Sequence, residues 1–140
     1  MEQQIRYTLG KTERLKSRKL IEYLFKEGKA FSVFPLRVFY TTEFPDSAIA
    51  QNKLQAGFSV STRNFKKAVD RNKIKRLMRE AYRLQKNPLT TQIENSDKKI
   101  AFFFVYTGNE IPDYKLIYEK IGNSIKRLIK IINETTPANN

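Results

Sequence analysis

The chain has 140 residues with no cysteine and no histidine, and 27 Lys and Arg against 14 Asp and Glu give a formal net charge of +13. The missing cysteine excludes disulfides and thiolate metal sites, and the missing histidine excludes imidazole bases and ligands. No apolar stretch approaches the ~20 residues that a membrane span needs. Because the N-terminus also lacks the apolar region of a signal peptide, we predict a cytoplasmic protein.

The excess of positive charge indicates the class of partner. A folded domain with this charge repels itself, so we expect it to bind a polyanion, with nucleic acid first and an anionic membrane second. A merely solubilising charge is the alternative, although acidic residues serve that purpose better. The acidic residues are scattered, and no two have a spacing typical of metal ligands on one element. We therefore predict neither catalytic residues nor a metal site on the protein.

The pattern of apolar residues predicts three helices and three strands in the order α, β, β, α, β, α. Ser17 is a suitable first cap, Gly28 suits a left-handed residue after the first helix, and Asn87-Pro88 ends the second helix. The predicted helices are 17–28, 71–85 and 114–133, and the predicted strands are 34–41, 55–61 and 100–107. This order predicts an α+β domain whose helices pack against one small sheet.

The rest of the chain is predicted to be irregular. We expect one domain over residues 1–140, with an irregular basic arm over 1–14 and a disordered tail over 134–140. Residues 42–53 and 87–99 have the composition of polar loops, the first with room for a small additional strand.

The second predicted helix has the strongest functional signal. On a helical wheel of about 100° per residue, one arc is apolar and another is basic. Tyr82 lies at the edge of the basic arc and Glu80 lies beyond it. Asp70 precedes the arc and is expected to cap the helix. The apolar arc contains Ile74, Leu77, Met78, Ala81 and Leu84, and the basic arc contains Arg71, Asn72, Lys75, Arg76, Arg79, Arg83 and Lys86. Like charges at i,i+4 destabilise a helix by a few tenths of a kcal/mol per pair, so an acid-free basic arc favours phosphate binding over a solvated surface.

The same helix resembles a known signature. The pattern Arg71-Asn72-x-x-Lys75-Arg76-x-x-Arg79 is similar to that of the bacterial ribonuclease P protein subunit. The whole run 68–83 resembles the family, as do residues 58–62 and 14–31, the length and the order of elements. One departure is that the family's usual Arg-Asn-Arg triplet is Arg-Asn-Lys here, with Lys73 in third place.

The resemblance implies a fold and an activity. The fold is a two-layer α/β sandwich with a small, mostly antiparallel sheet, three helices and a left-handed β-α-β crossover, similar to a ribosomal-protein domain. The activity is that of the accessory subunit of an endoribonuclease that removes the 5′ leader of precursor tRNA. The implied partners are the catalytic RNA of ribonuclease P and precursor tRNA, without a membrane or a protein partner. Hydrolysis is left to that RNA with bound Mg²⁺, so the protein itself needs no cofactor.

The resemblance also implies two binding sites. The residues expected to contact the catalytic RNA are Arg71, Asn72, Lys73, Lys75, Arg76, Arg79 and Arg83. A cleft between the first helix and the sheet is expected to hold the single-stranded leader, through Ile21, Phe25, Arg37, Phe39 and Tyr40. Aromatic side chains beside positive charge suit single-stranded nucleic acid. Alternation along the first predicted strand puts Leu36, Val38 and Tyr40 on one face and Arg37 and Phe39 on the other, and core packing is the alternative for Phe25 and Tyr40.

Three other functions fit parts of the sequence. A ribosomal or other structural RNA-binding protein without a role in cleavage has the same charge and aromatic content. A DNA-binding regulator would use residues 71–86 as a recognition helix, but a predicted strand precedes that helix where a helix-turn-helix needs another helix. Membrane association is disfavoured because the apolar side of the basic helix is needed for the core.

Overall fold

A computed structural model describes residues 13–44 and 53–134. The four helices are α1 (Arg18–Glu27), α2 (Ala68–Gln85), α3 (Asn87–Glu94) and α4 (Tyr114–Glu134), and the four strands are β1 (Lys29–Val33), β2 (Leu36–Thr41), β3 (Leu54–Val60) and β4 (Ile100–Tyr106). The predicted α+β class is confirmed, with four helices where three were expected. No helix in these two ranges is long and apolar enough to cross a membrane.

The four strands form one mixed sheet in the order β1-β2-β4-β3. β1 and β2 are an antiparallel hairpin, and β2 is also antiparallel to β4. β3 is parallel to β4, and a parallel neighbour requires a long crossover connection. α2 and α3 supply this connection, which is the β-α-β unit that the resemblance implies. The left-handed sense of the crossover stays a prediction.

The two faces of the sheet carry different layers. α2 packs against β3 and α4, while α4 covers β1 and β2, and the main core lies between these helices and the sheet. On the opposite face α1 packs against β2 and β4. The smaller cluster beneath α1 consists of Leu15, Leu20, Leu24, Ala101 and Phe103. The alternation along β4 therefore sends Phe102 and Phe104 into the main core and Phe103 toward α1.

A glycine fixes the position of Phe103 beneath α1. Gly57 is the register partner of Phe103 in the adjacent parallel strand. A Cβ at this position would lie 2.3 Å from Cδ2 of the Phe103 ring, so only glycine leaves room for the ring to lie across β3.

Two elements were missed in the sequence. β1 buries only Phe31, so it lacks the alternating apolar pattern of a half-buried strand. α3 lies in the predicted polar loop 87–99, where Leu89 and Ile93 are four residues apart and both are buried. Pro88 ends α2 and also begins α3, because a helix tolerates proline in its first turn.

The predicted ends of α1 are right in position. The N–H of Leu20 donates to Oγ of Ser17 at 3.2 Å, which confirms the cap. Gly28 follows the helix but is extended (φ −75°, ψ 167°), so the predicted left-handed conformation is wrong. Glycine is needed there because a Cβ would lie 2.5 Å from the carbonyl oxygen of Leu24.

The irregular predictions fall largely outside the described residues. Of the predicted arm 1–14, only the last two residues are described, and Arg14 forms a parallel bridge with Ala56 of β3. The predicted tail begins at Glu134, which is the last residue of α4, and 135–140 lie outside the description. Of the loop 42–53, the described residues 42–44 and 53 form no strand.

Candidate nucleic-acid interface

α2 is rotated about its axis relative to the orientation that its apolar residues predict. Its buried residues are Ile74, Met78, Ala81 and Tyr82, while Leu84 is exposed. On the helical wheel the buried arc is therefore displaced by about 50° toward Arg71. The prediction that Tyr82 lies at the edge of the basic arc is wrong.

An aromatic cluster explains this rotation. The Tyr82 ring centroid lies 5.7 Å from those of Phe58 and Phe102 and 6.0 Å from that of Phe104. A large aromatic side chain gains more from burial and ring contact than a leucine at the margin of the helix. Burial of Tyr82 therefore decides which side of α2 faces the sheet.

Two cations of the predicted basic arc, Arg71 and Lys86, have partners within the fold. Nη1 of Arg71 donates to the carbonyl oxygens of Phe65 and Lys66, each at 2.8 Å, so Arg71 fixes the segment before α2. Lys86 is only 2% exposed, and its Nζ lies 2.6 Å from Oε1 of Glu13. The prediction that Lys86 belongs to the exposed basic arc is wrong, because this ion pair holds it inside.

Glu80 changes the charge at the C-terminal part of α2. Its Oε2 lies 2.5 Å from Nη2 of Arg83, and this hydrogen bond lowers the pKa of Glu80 and raises the pKa of Arg83. The expected ladder of like charges is therefore neutralised at Arg83. Asp70 is not the N-cap, since α2 begins at Ala68 and Asp70 lies in its first turn, where a carboxylate stabilises the helix dipole.

The middle of α2 keeps an exposed, positively charged surface. The α2 cationic face consists of Asn72, Lys73, Lys75, Arg76 and Arg79. All of these are exposed except Lys75, which is half-buried. None of its four cations forms an ion pair with another residue of the described ranges. The charges of this face are therefore available to an external anion.

Between α1 and the sheet, four of the five predicted leader-binding residues lie together. The α1 cleft consists of Ile21, Phe25, Arg37 and Phe39, with Phe103 at its floor. Phe25 is 45% exposed, and its ring centroid lies 4.6 Å from that of Phe39 and 5.4 Å from that of Phe103. Cζ of Arg37 lies 5.3 Å from the Phe39 ring centroid, which is a cation–π contact. Exposed aromatic surface and positive charge thus adjoin in one cleft.

Tyr40 does not belong to the α1 cleft. Its ring lies 5.8 Å from that of Phe31, on the face of the sheet that α4 covers. Consecutive residues of a strand point to opposite faces, so Phe39 and Tyr40 cannot line one cleft. The expectation that Tyr40 lines the cleft between α1 and the sheet is therefore wrong. Phe103 was missed, although the alternation along β4 could have placed it opposite Phe102 and Phe104.

Carboxylates do not converge within the described ranges. No group of three or more Asp and Glu side chains there could hold a metal ion.

The family is decided by comparison with known proteins. Residues 9–129 match the family described as Ribonuclease P. The chain belongs to the ribonuclease P protein family. A ribonuclease P protein component from Porphyromonas gingivalis strain ATCC 33277 is 37% identical over 122 residues, covering 87% of each chain. Another from Chlorobium phaeobacteroides is 33% identical and covers 82% of this chain and 84% of its own length.

The fold agrees with this membership. The ribonuclease P protein of Thermotoga maritima superposes with a TM-score of 0.58 at 26% identity, over 82% of this chain and 96% of that one. The ribonuclease P family match includes both the α1 cleft and the α2 cationic face. The sequence resemblance is therefore confirmed, and with it the assignment to RNA-binding proteins of tRNA processing.

Proposed function

We propose that this protein binds the catalytic RNA of ribonuclease P through the α2 cationic face and the 5′ leader of precursor tRNA through the α1 cleft. It thereby assists endonucleolytic maturation of the tRNA 5′ end, in the cytoplasm. The observation that carries the proposal is the α2 cationic face, whose cations are unpaired within the described residues of a ribonuclease P family member.

Binding through the α2 cationic face follows from its chemistry. Arg76 and Arg79 present planar guanidinium groups that donate two parallel hydrogen bonds to a phosphate, while Lys73 and Lys75 contribute point charges. The neighbouring Asn72 is exposed and adds an amide that can donate to a phosphate or a base edge. Contacts of this kind position a protein along a nucleic-acid backbone without reading its sequence. Arg71 acts indirectly, because its hydrogen bonds fix the entry to α2.

Leader binding in the α1 cleft follows from the exposed aromatic rings. Base stacking on an aromatic side chain contributes about 1–3 kcal/mol per base and tolerates any sequence. Phe25 is the ring available for stacking, Phe39 and Phe103 support it from behind, and Arg37 supplies charge for the backbone. Only precursor tRNA has a leader, so the cleft would favour substrate over mature product.

The chemical step is left to the RNA and its bound Mg²⁺. The protein contributes positive charge between two polyanions, which lowers their repulsion and therefore the magnesium concentration needed for docking. A second candidate function is structural RNA binding without a role in cleavage. This function would also require the α2 cationic face, but it would not require the α1 cleft.

The test is cleavage of labelled precursor tRNA by transcribed ribonuclease P RNA, with and without the protein, over a magnesium series. We expect the protein to lower the magnesium concentration required, and the double variant Arg76→Gln/Arg79→Gln to lose most of this effect. Lys99→Gln/Lys115→Gln removes the same charge from two exposed lysines outside α2 and should behave as the wild type. RNA binding without any stimulation of cleavage would favour the structural alternative.

A further inference from the structure

A second cationic groove lies on the other side of α4, between this helix and the hairpin of β1 and β2. The groove has a volume of about 560 Å³. Its lining includes two aromatic residues of the hairpin and four charged residues of α4, namely Phe31, Tyr40, Lys126, Arg127, Lys130 and Glu134. We propose that this groove binds the phosphate backbone of an RNA strand, as a second contact with the catalytic RNA of ribonuclease P. The inference rests on the proposed function and deepens it.

The groove is positively charged and its cations are available. Lys126, Arg127 and Lys130 are exposed, and none forms an ion pair with another residue in the described part of the chain. Glu134 is the single acidic residue in the lining of this groove. Lys29 is exposed and is the register partner of Tyr40, so its side chain adds a positive charge on the same face of the sheet. The positive charge of the groove therefore favours an anionic partner.

The aromatic residues hold the groove in a shape that suits a nucleic acid. Cζ of Arg127 lies 4.6 Å from the ring centroid of Phe31, a cation–π contact that orients the guanidinium group and leaves its edges for phosphate. Tyr40 lines the same groove, and its phenol adds a hydrogen-bonding group to the lining. The groove is concave and lined by three cations, whereas a membrane surface takes up protruding apolar side chains, so this shape and charge favour an RNA strand.

The groove is separate from both sites already described. It lies at the β1 edge of the sheet, whereas α2 packs over β3 at the other edge. Three strand spacings of about 4.8 Å put these edges about 14 Å apart. The α1 cleft lies on the opposite face. An RNA contact here therefore needs a different part of the RNA from the one that reaches the α2 cationic face.

The salt dependence of binding to transcribed ribonuclease P RNA tests the inference. Each phosphate contact contributes about 0.7–0.9 to the slope of log affinity against log salt. The double variant Arg127→Gln/Lys130→Gln should flatten the slope by about 1.5, so its loss of affinity should be about tenfold larger at 50 mM than at 200 mM salt. Lys99→Gln/Lys115→Gln, with the same net charge, should keep the wild-type slope.

Two outcomes of these binding measurements overturn the inference. In the first, the groove variant has the same salt dependence of RNA affinity as the matched control. The variant Arg76→Gln/Arg79→Gln then shows whether the proposed function is refuted as well. If the α2 variant flattens the slope and the groove variant does not, only the second contact is refuted. The other is an unchanged RNA slope with lost sedimentation on vesicles of anionic phospholipid, which would assign the groove to a membrane.

Directed cleavage then shows whether the two surfaces meet different parts of the RNA. The chain has no cysteine, so a single introduced thiol carries an iron chelate to a known place. Glu134→Cys puts it at the rim of the groove, and Val69→Cys, at a residue 77% exposed, puts it near the α2 cationic face. We expect two distinct sets of RNA cleavage positions. Identical sets, or no cleavage from Glu134→Cys, would contradict a second contact.

Discussion

Replacing Lys86 by methionine tests the ion pair that holds residue 13 against the end of α2. Lys86 is 2% exposed and Glu13 is 21% exposed, with 2.6 Å between Nζ and Oε1. Methionine keeps the length and apolar stem of lysine, so the variant removes the charge and leaves little cavity. The carboxylate of Glu13 then remains without this cation, close to the buried ring of Tyr82. Burial, and then that carboxylate, raise the pKa of the Tyr82 hydroxyl far above its usual value, so the phenol stays neutral and adds no second negative charge beside Glu13.

The size of the effect follows from the burial of both partners. Removing one partner of a buried ion pair costs about 3–5 kcal/mol. Because Glu13 keeps partial contact with water, we expect the lower end, about 3 kcal/mol. For a chain of 140 residues this corresponds to a fall in Tm of about 10 °C.

Thermal and urea unfolding followed by circular dichroism measure this loss. The double variant Glu13→Gln/Lys86→Met removes both charges, so we expect it to recover more than half of the lost stability. A fall in Tm of less than about 2 °C for Lys86→Met would refute the reasoning. Equal losses in the single and double variants would show that packing of the lysine stem, and not charge, stabilises this region.

Three further predictions concern the α1 cleft, the end of α2 and β3. Phe25→Ala should reduce the preference for precursor over mature tRNA by about 5- to 150-fold in competitive binding, corresponding to one stacked base, while Tyr40→Phe on the opposite face should not change it. The lowered pKa of Glu80 means that its pair with Arg83 stabilises the fold above the ordinary carboxyl pKa and is lost as pH falls through the lowered value. The Tm of Glu80→Gln should therefore fall less than that of the wild type between pH 6 and pH 3, and parallel curves would contradict the pairing. Gly57→Ala should destabilise the protein by about 1–3 kcal/mol in urea unfolding, because the new methyl meets the Phe103 ring, and no change would contradict that close approach.

The sequence predicts the elements whose apolar residues recur with a clear period. β2, β3, β4, α2 and α4 lie within a few residues of their predicted ranges. β1 and α3 were missed because they bury one and two side chains, respectively, which is too few to show a clear period. Local pattern is weak for such elements, since the packing of the whole domain keeps them in place.

For the candidate sites, too, the local sequence pattern was not sufficient, because several side chains are placed by residues distant in sequence. Periodicity could identify α2 as basic on one side, but not its rotation, because the gain from burying Tyr82 depends on aromatic residues of β3 and β4. Charge alone could not distinguish Arg76, which is exposed, from Lys86, whose partner lies 73 residues away in sequence. The position of Tyr40 was a matter of strand register, and the alternation of β2 already contradicted its assignment to the same cleft as Phe39.

The three consecutive phenylalanines of β4 have a consequence for folding. Because the strand is apolar on both faces, a shift that moved each residue into the place of the preceding one would bring no charged residue into the strand. Side-chain volume must therefore reject this alignment, since it would put the Phe102 ring in the place of Ala101 and Val105 in the place of the buried Phe104 ring. In most half-buried strands the alternation of polar and apolar residues selects the register early in folding. Selection by side-chain volume acts only after tight packing has formed. We expect misaligned β4 to be a slowly corrected error during refolding of this protein.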